Sequence, residues 1–226
     1  MKETVKAVVH ERGQGREPVL KAALGADWHR LPEALRKNFD LQPGSNGQIV
    51  LSGTMYEIRH SLLAKLLIFP AQLVGALVPW QGENVPVTIE ISAQTAEKKC
   101  IFWRRTHNFP SHAPFIFSSR MEYLHGNEII EKVGCGLGMR MQVSLEDDIL
   151  KLTSICYQWD IFGRIIRIPN WLLLGTGQII ERAVSADQFE MFFEINHPWL
   201  GRTFSYNGIF RFEKQTADVN ETILKN

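Results

Sequence analysis

The chain has 226 residues, of which 45% are hydrophobic and 22% are charged, and its net charge is +1 at pH 7. These values are typical of a globular protein that buries a core without metal or disulfide support. No block of one charge sign is present, so we expect no nucleic-acid partner. The three widely spaced cysteines, Cys100, Cys135 and Cys156, form no metal-binding or CxxC motif, which favours free thiols in a reducing, cytoplasmic compartment.

The N-terminal region predicts short helices at 20–24 and 28–39, followed by a strand at 48–58. An apolar segment at 62–78 comes next, interrupted by polar residues and by Pro70 in its middle. A single membrane span needs about 20 mostly apolar residues, so this segment is marginal as a span. A buried, kinked helix and an interfacial segment are both compatible with it.

From residue 85 onwards the chain is rich in alternating apolar and polar residues. Together with the first strand, the predicted strands are 48–58, 85–93, 99–109, 115–124, 128–135, 139–146, 149–159, 178–184, 188–196 and 202–213. The connections are too short for parallel crossovers, and so many antiparallel strands tend to close. We therefore predict a mainly β fold: an antiparallel, closed or strongly wrapped barrel-like sheet with N-terminal helices and an inserted apolar helix. We expect one domain over 1–226, with flexible ends at 1–18 and 214–226, and an irregular segment at 161–175.

The predicted hairpin 99–109 and 115–124 carries aromatic residues along one face of each arm. Trp103, Arg105 and His107 share a face of the first arm, and Phe117 lies on the matching face of the second. A buried guanidinium must be paired, and Glu131 also stands in an apolar row of its strand. Three alternatives remain open: an ion pair that serves only the fold, a polar anchor in an apolar ligand cavity, or a catalytic acid or base.

The last predicted strand alternates most regularly, with Tyr206 and Phe210 on its aromatic face. His107 is the only histidine that shares a face with Arg105, and a satisfied core histidine is the alternative. The histidines show no metal spacing and no nucleophile elbow is present, so we expect no cofactor. The predicted ligand-binding residues are Trp103, Arg105, His107, Phe117, Glu131, Tyr206 and Phe210.

Two further segments have a composition that is typical of functional sites. The glycine-rich run 134–138 is not followed by a helix that could receive phosphates, so we expect a bend between two strands. The segment 159–172 mixes aromatic residues with two arginines. It suits a membrane interface if it is exposed, or a loop that closes one end of the barrel if it is buried.

Several short motifs together resemble a bacterial family of unknown function. They are Leu24-Gly25-Ala26-Asp27-Trp28 with Leu31-Pro32 and Leu35, Trp103-Arg104-Arg105, Glu131 with Gly134 and Gly136, His197-Pro198-Trp199-Leu200-Gly201, and Tyr206-Asn207-Gly208-Ile209-Phe210. The resemblance covers about residues 20–213. Members of that family occur alone or fused C-terminally to saccharopine-dehydrogenase-like proteins, which implies a reductase partner but no established activity.

The function that these observations predict is non-catalytic binding of a hydrophobic, including anionic, small molecule inside the barrel. Arg105 and Glu131 would fix the orientation of that molecule. One alternative is an enzyme that acts on a carboxylated or lipid-like substrate with Arg105, Glu131 and His107. Another is a membrane-surface or protein-interaction module that uses Leu62, Phe69 and Trp171.

Overall fold

A computed structural model describes residues 17–61, 77–93 and 99–213 of the chain. Most of the predicted N-terminal end, the C-terminal end 214–226 and the apolar segment 62–76 lie outside the described residues. Leu62 and Phe69, which we predicted as membrane contacts, therefore lie outside them too. In the part of the chain that is described, no helix is long and apolar enough to cross a membrane.

The described residues form two short helices and eleven strands. The helices are α1 (Val19–Leu24) and α2 (Glu33–Phe39), separated by a 3₁₀ turn at Gly25–Arg30. The strands are β1 (Gln48–His60), β2 (Gly82–Ser92), β3 (Cys100–His107), β4 (Phe115–His125), β5 (Glu128–Lys132), β6 (Leu137–Glu146), β7 (Ile149–Ile161), β8 (Arg164–Ile168), β9 (Thr176–Ala183), β10 (Gln188–His197) and β11 (Gly201–Phe212). The predicted helix at 28–39 is interrupted because Pro32 cannot continue a helix and keeps the preceding residue extended.

Ten of these strands close into an antiparallel barrel. The order is β6-β5-β4-β3-β2-β1-β11-β10-β9-β7, and β6 pairs again with β7 to complete the ring. The predicted fold class, a closed antiparallel β-barrel with N-terminal helices, is thereby confirmed. The glycine-rich run forms a 3₁₀ turn at Gly134–Gly136 between β5 and β6, as expected.

The eleventh strand, β8, lies outside the ring. Strand β7 is long, and its first half, 149–153, pairs with β9 inside the barrel. Its last residues, 157–161, pair instead with β8 on that side, while residues 157–159 stay paired with β6 on the other side. The prediction of an irregular segment at 161–175 was wrong, since this segment contains β8. The strand was missed because β8 is exposed on both faces and so shows no alternation of apolar and polar residues.

The interior of the barrel is apolar, and its two ends are covered differently. The core includes fully buried Phe189, Phe204 and Phe210 from β10 and β11. At one end, which we call the helix end, α2 contacts β9 and β10, and the ring of Phe39 lies 5.7 Å from that of Trp103. At the other end, which we call the hairpin end, lie the connections 108–114, 162–175 and 198–200, the second of which includes β8.

Candidate functional site

The interior of the barrel contains a cavity of about 270 Å³. All seven residues that the sequence predicted as ligand-binding line it: Trp103, Arg105, His107, Phe117, Glu131, Tyr206 and Phe210. Most of the remaining wall is aliphatic or aromatic and includes Met139, Ile179 and Phe193. The sequence thus identified residues that share one cavity, and their role in binding a ligand stays a prediction.

The pairing of β3, β4 and β5 explains why charged residues meet in this wall. Arg105 lies opposite Phe117, and Trp103 lies opposite Ser119, on the inward faces of β3 and β4. Glu131 lies opposite Met121, which is the next inward position of β4 after Ser119. Side chains on one face of adjacent strands reach their diagonal neighbours, so Arg105, Ser119 and Glu131 converge.

Arg105, Ser119 and Glu131 form a closed polar cluster. Arg105 Nη1 donates to Ser119 Oγ at 2.9 Å, and Arg105 Nη2 donates to Glu131 Oε1 at 3.1 Å. Ser119 Oγ donates to the same Oε1 at 2.5 Å. The side chains of Arg105 and Glu131 are only 9% and 14% exposed, so little water screens the pair. The predicted contact between Arg105 and Glu131 is confirmed.

The guanidinium of Arg105 is also held between two aromatic rings. Its Cζ lies 4.9 Å from the ring centre of Trp103 and 5.4 Å from that of Phe117. Both distances are within the range of cation–π attraction. The hydrogen bonds and the two rings together fix the position of the guanidinium, so this part of the wall is preorganised rather than adaptable.

A second polar group, Glu181 on β9, faces the same cavity. Its burial, which disfavours the charged carboxylate, raises the pKa of Glu181 to about 8, although the charge of Arg105 opposes this shift. Glu181 is therefore mostly protonated at neutral pH. Asn38 of α2 also lowers this pKa slightly. Nevertheless, neither Glu181 Oε2 nor the amide atoms of Asn38 have a well-formed hydrogen bond within the described part of the chain.

His107 and Trp103 contribute further polar atoms to the wall. Burial, followed by the charge of Arg105, lowers the pKa of His107 to about 4, so the imidazole is neutral at pH 7. Neither His107 Nδ1 nor Trp103 Nε1 finds a hydrogen-bond partner among the residues the structure describes. Buried polar atoms without a partner are rare and costly, and four cavity residues carry them here: Asn38, Trp103, His107 and Glu181.

Tyr206 completes the polar part of the cavity from β11. Burial raises the pKa of Tyr206 to about 12, so its hydroxyl stays protonated and can both donate and accept a hydrogen bond. Its ring packs against Phe193 and Phe204, with ring centres 5.2 and 5.5 Å away. Phe210 is stacked on Phe189 at 5.6 Å and supplies purely apolar wall.

Three residues of the site were missed by the sequence interpretation. Glu181 shares a face of β9 with Ile179, so the same argument that selected Glu131 could have found it. Ser119 stands two residues after Phe117 and so on the same face of the predicted strand, but it was not recognised as the bridge between the two charges. Asn38 enters from α2, and no pattern in the sequence indicates which helix residues reach into the barrel.

The cavity offers no obvious metal site. In ranges 17–61, 77–93 and 99–213, no three histidine, cysteine, aspartate or glutamate side chains cluster as metal ligands would. The chemistry of the wall is instead that of hydrogen bonding, with one protonated carboxyl group, one neutral imidazole and one neutralised ion pair. Such a wall suits an organic ligand rather than an ion.

Comparison with known proteins gives a family but no activity. Residues 31–210 match a family described as a domain of unknown function, DUF4166. No curated protein and no solved structure matches the chain. A bacterial origin and a reductase partner, which the resemblance implied, stay predictions. Because the match covers more than half of the sequence and includes most barrel strands, the chain belongs to the DUF4166 family.

Proposed function

We propose that this protein binds a hydrophobic small molecule with one polar, uncharged end inside its barrel. The observation that carries the proposal is the set of polar atoms in the cavity wall, on Asn38, Trp103, His107 and Glu181, that have no well-formed hydrogen bond to another described residue. A bound molecule that hydrogen-bonds to these atoms would remove their desolvation cost. The aliphatic and aromatic remainder of the wall suits an apolar body.

The volume of the cavity limits the size of the ligand. An apolar cavity of about 150 Å³ holds benzene. By proportion, the cavity of about 270 Å³ accommodates roughly ten non-hydrogen atoms. Medium-chain alcohols, small terpenoids and bicyclic aromatic compounds are of this size. A whole phospholipid is several times larger and would not fit.

The charges of the wall argue against a permanently anionic ligand. Arg105 is already neutralised by Glu131 at 3.1 Å, so it has no free charge to offer a carboxylate. Glu181 is protonated at neutral pH and can donate a hydrogen bond to a carbonyl or hydroxyl oxygen. An anionic ligand would have to displace Glu131 and would leave that carboxylate buried and unpaired.

A matched pair of probes tests this proposal. We expect calorimetric titration at pH 7 to show that octan-1-ol binds at least about tenfold more tightly than octanoate, because only the alcohol enters without a charge. Ile179→Trp, which fills the cavity, should abolish binding of the alcohol. Ile155→Trp, at an exposed position of β7, is the control and should bind normally. Equal affinity for both probes, or no effect of Ile179→Trp, would contradict the proposal.

One observation favours a catalytic version of the same cavity. A carboxyl group with a pKa of about 8 is suited to proton transfer near neutral pH. If the protein is an enzyme, the molecules that co-purify with wild type and with Glu181→Gln should differ by a chemical step. If it only binds, both preparations should release the same compound, identified by mass spectrometry after solvent extraction.

A further inference from the structure

The hairpin end of the barrel exposes an unusual amount of apolar surface. The hairpin face, as we call it, comprises the exposed apolar residues of β8, its hairpin turn and the two nearest loops: Phe162, Ile165, Ile166, Trp171, Leu172 and Trp199. Phe162 is completely exposed and Trp199 is 74% exposed. Clustered exposed apolar residues of this kind mark sites of interaction rather than ordinary surface.

The backbone at the tip of the hairpin is shaped to present Phe162. Phe162 and Gly163 both have positive φ angles, of 51° and 78°, as a two-residue hairpin turn requires. Asparagine or glycine is the usual residue at such a position, because a bulky side chain is strained there. Phe162 therefore has a strained backbone conformation and is also exposed to solvent, and both features are energetically unfavourable. Such a cost is typical of functional sites.

The two tryptophans of the hairpin face are held in place by His197. Trp171 and Trp199 pack edge to face with their ring centres 5.7 Å apart. His197 Nδ1 accepts from the backbone N–H groups of Trp199 and Leu200, both at 3.3 Å. The Nε2 atom of the same imidazole lies 2.7 Å from the carbonyl oxygen of Trp171 and donates to it. The aromatic pair is thus preorganised and not loosely attached.

Three exposed arginines lie on the same elements as the hairpin face or next to them. Arg164, Arg167 and Arg202 are all exposed, and none of them forms an ion pair with another described residue. The nearest carboxylate in the turn, Asp160, instead accepts a hydrogen bond from the backbone of Gly163 at 3.0 Å. Alternation along β8 places Arg164 with Ile166 on one face of the strand and Arg167 with Ile165 on the other, so exposed apolar and cationic side chains stand side by side on both faces.

We propose that the hairpin face docks on an anionic phospholipid bilayer. Tryptophan prefers the headgroup region of a membrane, arginine pairs with lipid phosphates, and an exposed phenylalanine tip can enter the acyl boundary. The segment 159–172 therefore takes the first of the two roles that its sequence allowed. This docking does not depend on what the cavity binds.

The same charges argue against a second copy of the chain as the partner. Among the described residues, strand β8 pairs on one side only, and two copies could in principle pair along its other edge. An antiparallel pairing that sets Arg164 opposite Arg167 of the second copy would place two arginines together on each face of the paired strands. Like charges that face each other across strands are destabilising, whereas an anionic bilayer neutralises them.

Docking would bring the membrane close to the cavity. Trp171 and Leu172 belong to the hairpin face, and the next two residues, Leu173 and Leu174, line the cavity wall. The same short segment therefore connects the hairpin face to the wall of the cavity.

Vesicle flotation tests the docking directly. We expect the full chain to float with vesicles of phosphatidylcholine and phosphatidylglycerol and to stay in solution with phosphatidylcholine alone. The double variant Arg164→Gln, Arg167→Gln should lower the partition coefficient at least about tenfold, since each arginine contributes roughly a fivefold effect. Phe162→Asn should also weaken flotation without loss of thermal stability, because asparagine tolerates the positive φ angle.

The flotation experiment needs a control variant outside the hairpin face and a measurement of the oligomeric state. Val184→Asn alters an exposed apolar residue near the helix end and should leave flotation unchanged. Equal binding to neutral and anionic vesicles, or normal binding by the arginine variant, would overturn the proposal. So would a dimer in sedimentation velocity that Phe162→Asn dissociates, since that identifies a second copy as the occupant. A loss of thermal stability in Phe162→Asn would show that the chain itself covers this face.

Discussion

Arg105 and Glu131 form a buried ion pair in the barrel wall, and breaking this pair should destabilise the protein more than replacing both residues together. Arg105→Ala leaves Glu131 poorly solvated with only Ser119 as a partner. We expect a loss of about 3–5 kcal/mol in the free energy of unfolding. Replacing both residues by methionine should restore most of that loss, because the uncompensated charge is gone. Urea denaturation of wild type, Arg105→Ala and the double methionine variant measures these differences in the free energy of unfolding.

The same variants separate a structural role of the pair from a binding role. If the ion pair serves only the fold, the double methionine variant should bind octan-1-ol as wild type does. If the pair also orients the ligand, as the sequence predicted, the double variant should fold but bind more weakly. A double variant that stays as unstable as Arg105→Ala would contradict the assignment of the loss to an unpaired charge.

Glu181 should make the protein less stable as the pH rises through the neutral range. Its pKa is about 8 in the folded state and 4.5 without burial, so the folded state binds more protons between these values. The stabilisation is complete below pH 4.5 and is lost as the pH rises to about 8, by about 1.4 kcal/mol per pH unit. Glu181→Gln should remove this slope. Denaturation curves of both proteins at several pH values provide the comparison.

His107 should have the opposite effect on the acid side. Its pKa of about 4 in the folded state lies below the ordinary value of 6.5, so the unfolded state binds more protons in between. Stability is therefore lost as the pH falls from 6.5 towards 4. The effects of His107 and Glu181 oppose each other between pH 4.5 and 6.5. Glu181→Gln removes the contribution of Glu181 throughout the range from pH 4.5 to 8, so its slope should differ from that of wild type across this range. From pH 6.5 to 8, where the effect of His107 is absent, the slope of wild type reports Glu181 of these two groups.

At the scale of elements, β7 has two halves with different roles, and substitutions should distinguish them. Leu150, in the half that pairs with β9, is completely buried, so Leu150→Ala should cost about 2–5 kcal/mol. Ile166, in the strand that pairs with the other half, is 48% exposed, so Ile166→Glu should change stability by less than about 0.5 kcal/mol. Equal losses would show that β8 is part of the cooperative barrel. Thermal denaturation is sufficient to measure both.

The elements also show what periodicity can and cannot reveal. Strands with one face inside the barrel, such as β10 and β11, alternate clearly, and their positions were predicted within a few residues. Strand β8 has no buried face, so alternation, which reports burial, could not find it. The pairing of Arg105 with Glu131 was predicted because two charges stood in apolar rows. The exact register that inserts Ser119 between them depends on strand pairing, which no local pattern contains.

At the scale of the whole molecule, closure of the sheet follows from the number of strands and their short connections, and the sequence predicted it. Whether the closed barrel is filled or hollow does not follow from strand count. It depends on how inward side chains of different sizes meet across the interior, which requires all ten registers at once. The size of the cavity and the position of Asn38 in its wall are therefore findings of the structure, although the helix that carries Asn38 was predicted.

The central claim is that the cavity holds an apolar molecule with a polar, uncharged end, and native mass spectrometry of freshly purified protein tests it most directly. We predict an adduct that is lost on denaturation, absent from Ile179→Trp and present in Ile155→Trp. Solvent extraction should then yield a neutral compound of roughly ten non-hydrogen atoms. A clean mass for wild type, together with no binding of octan-1-ol, would contradict the account, as would an extracted compound that is a permanent anion.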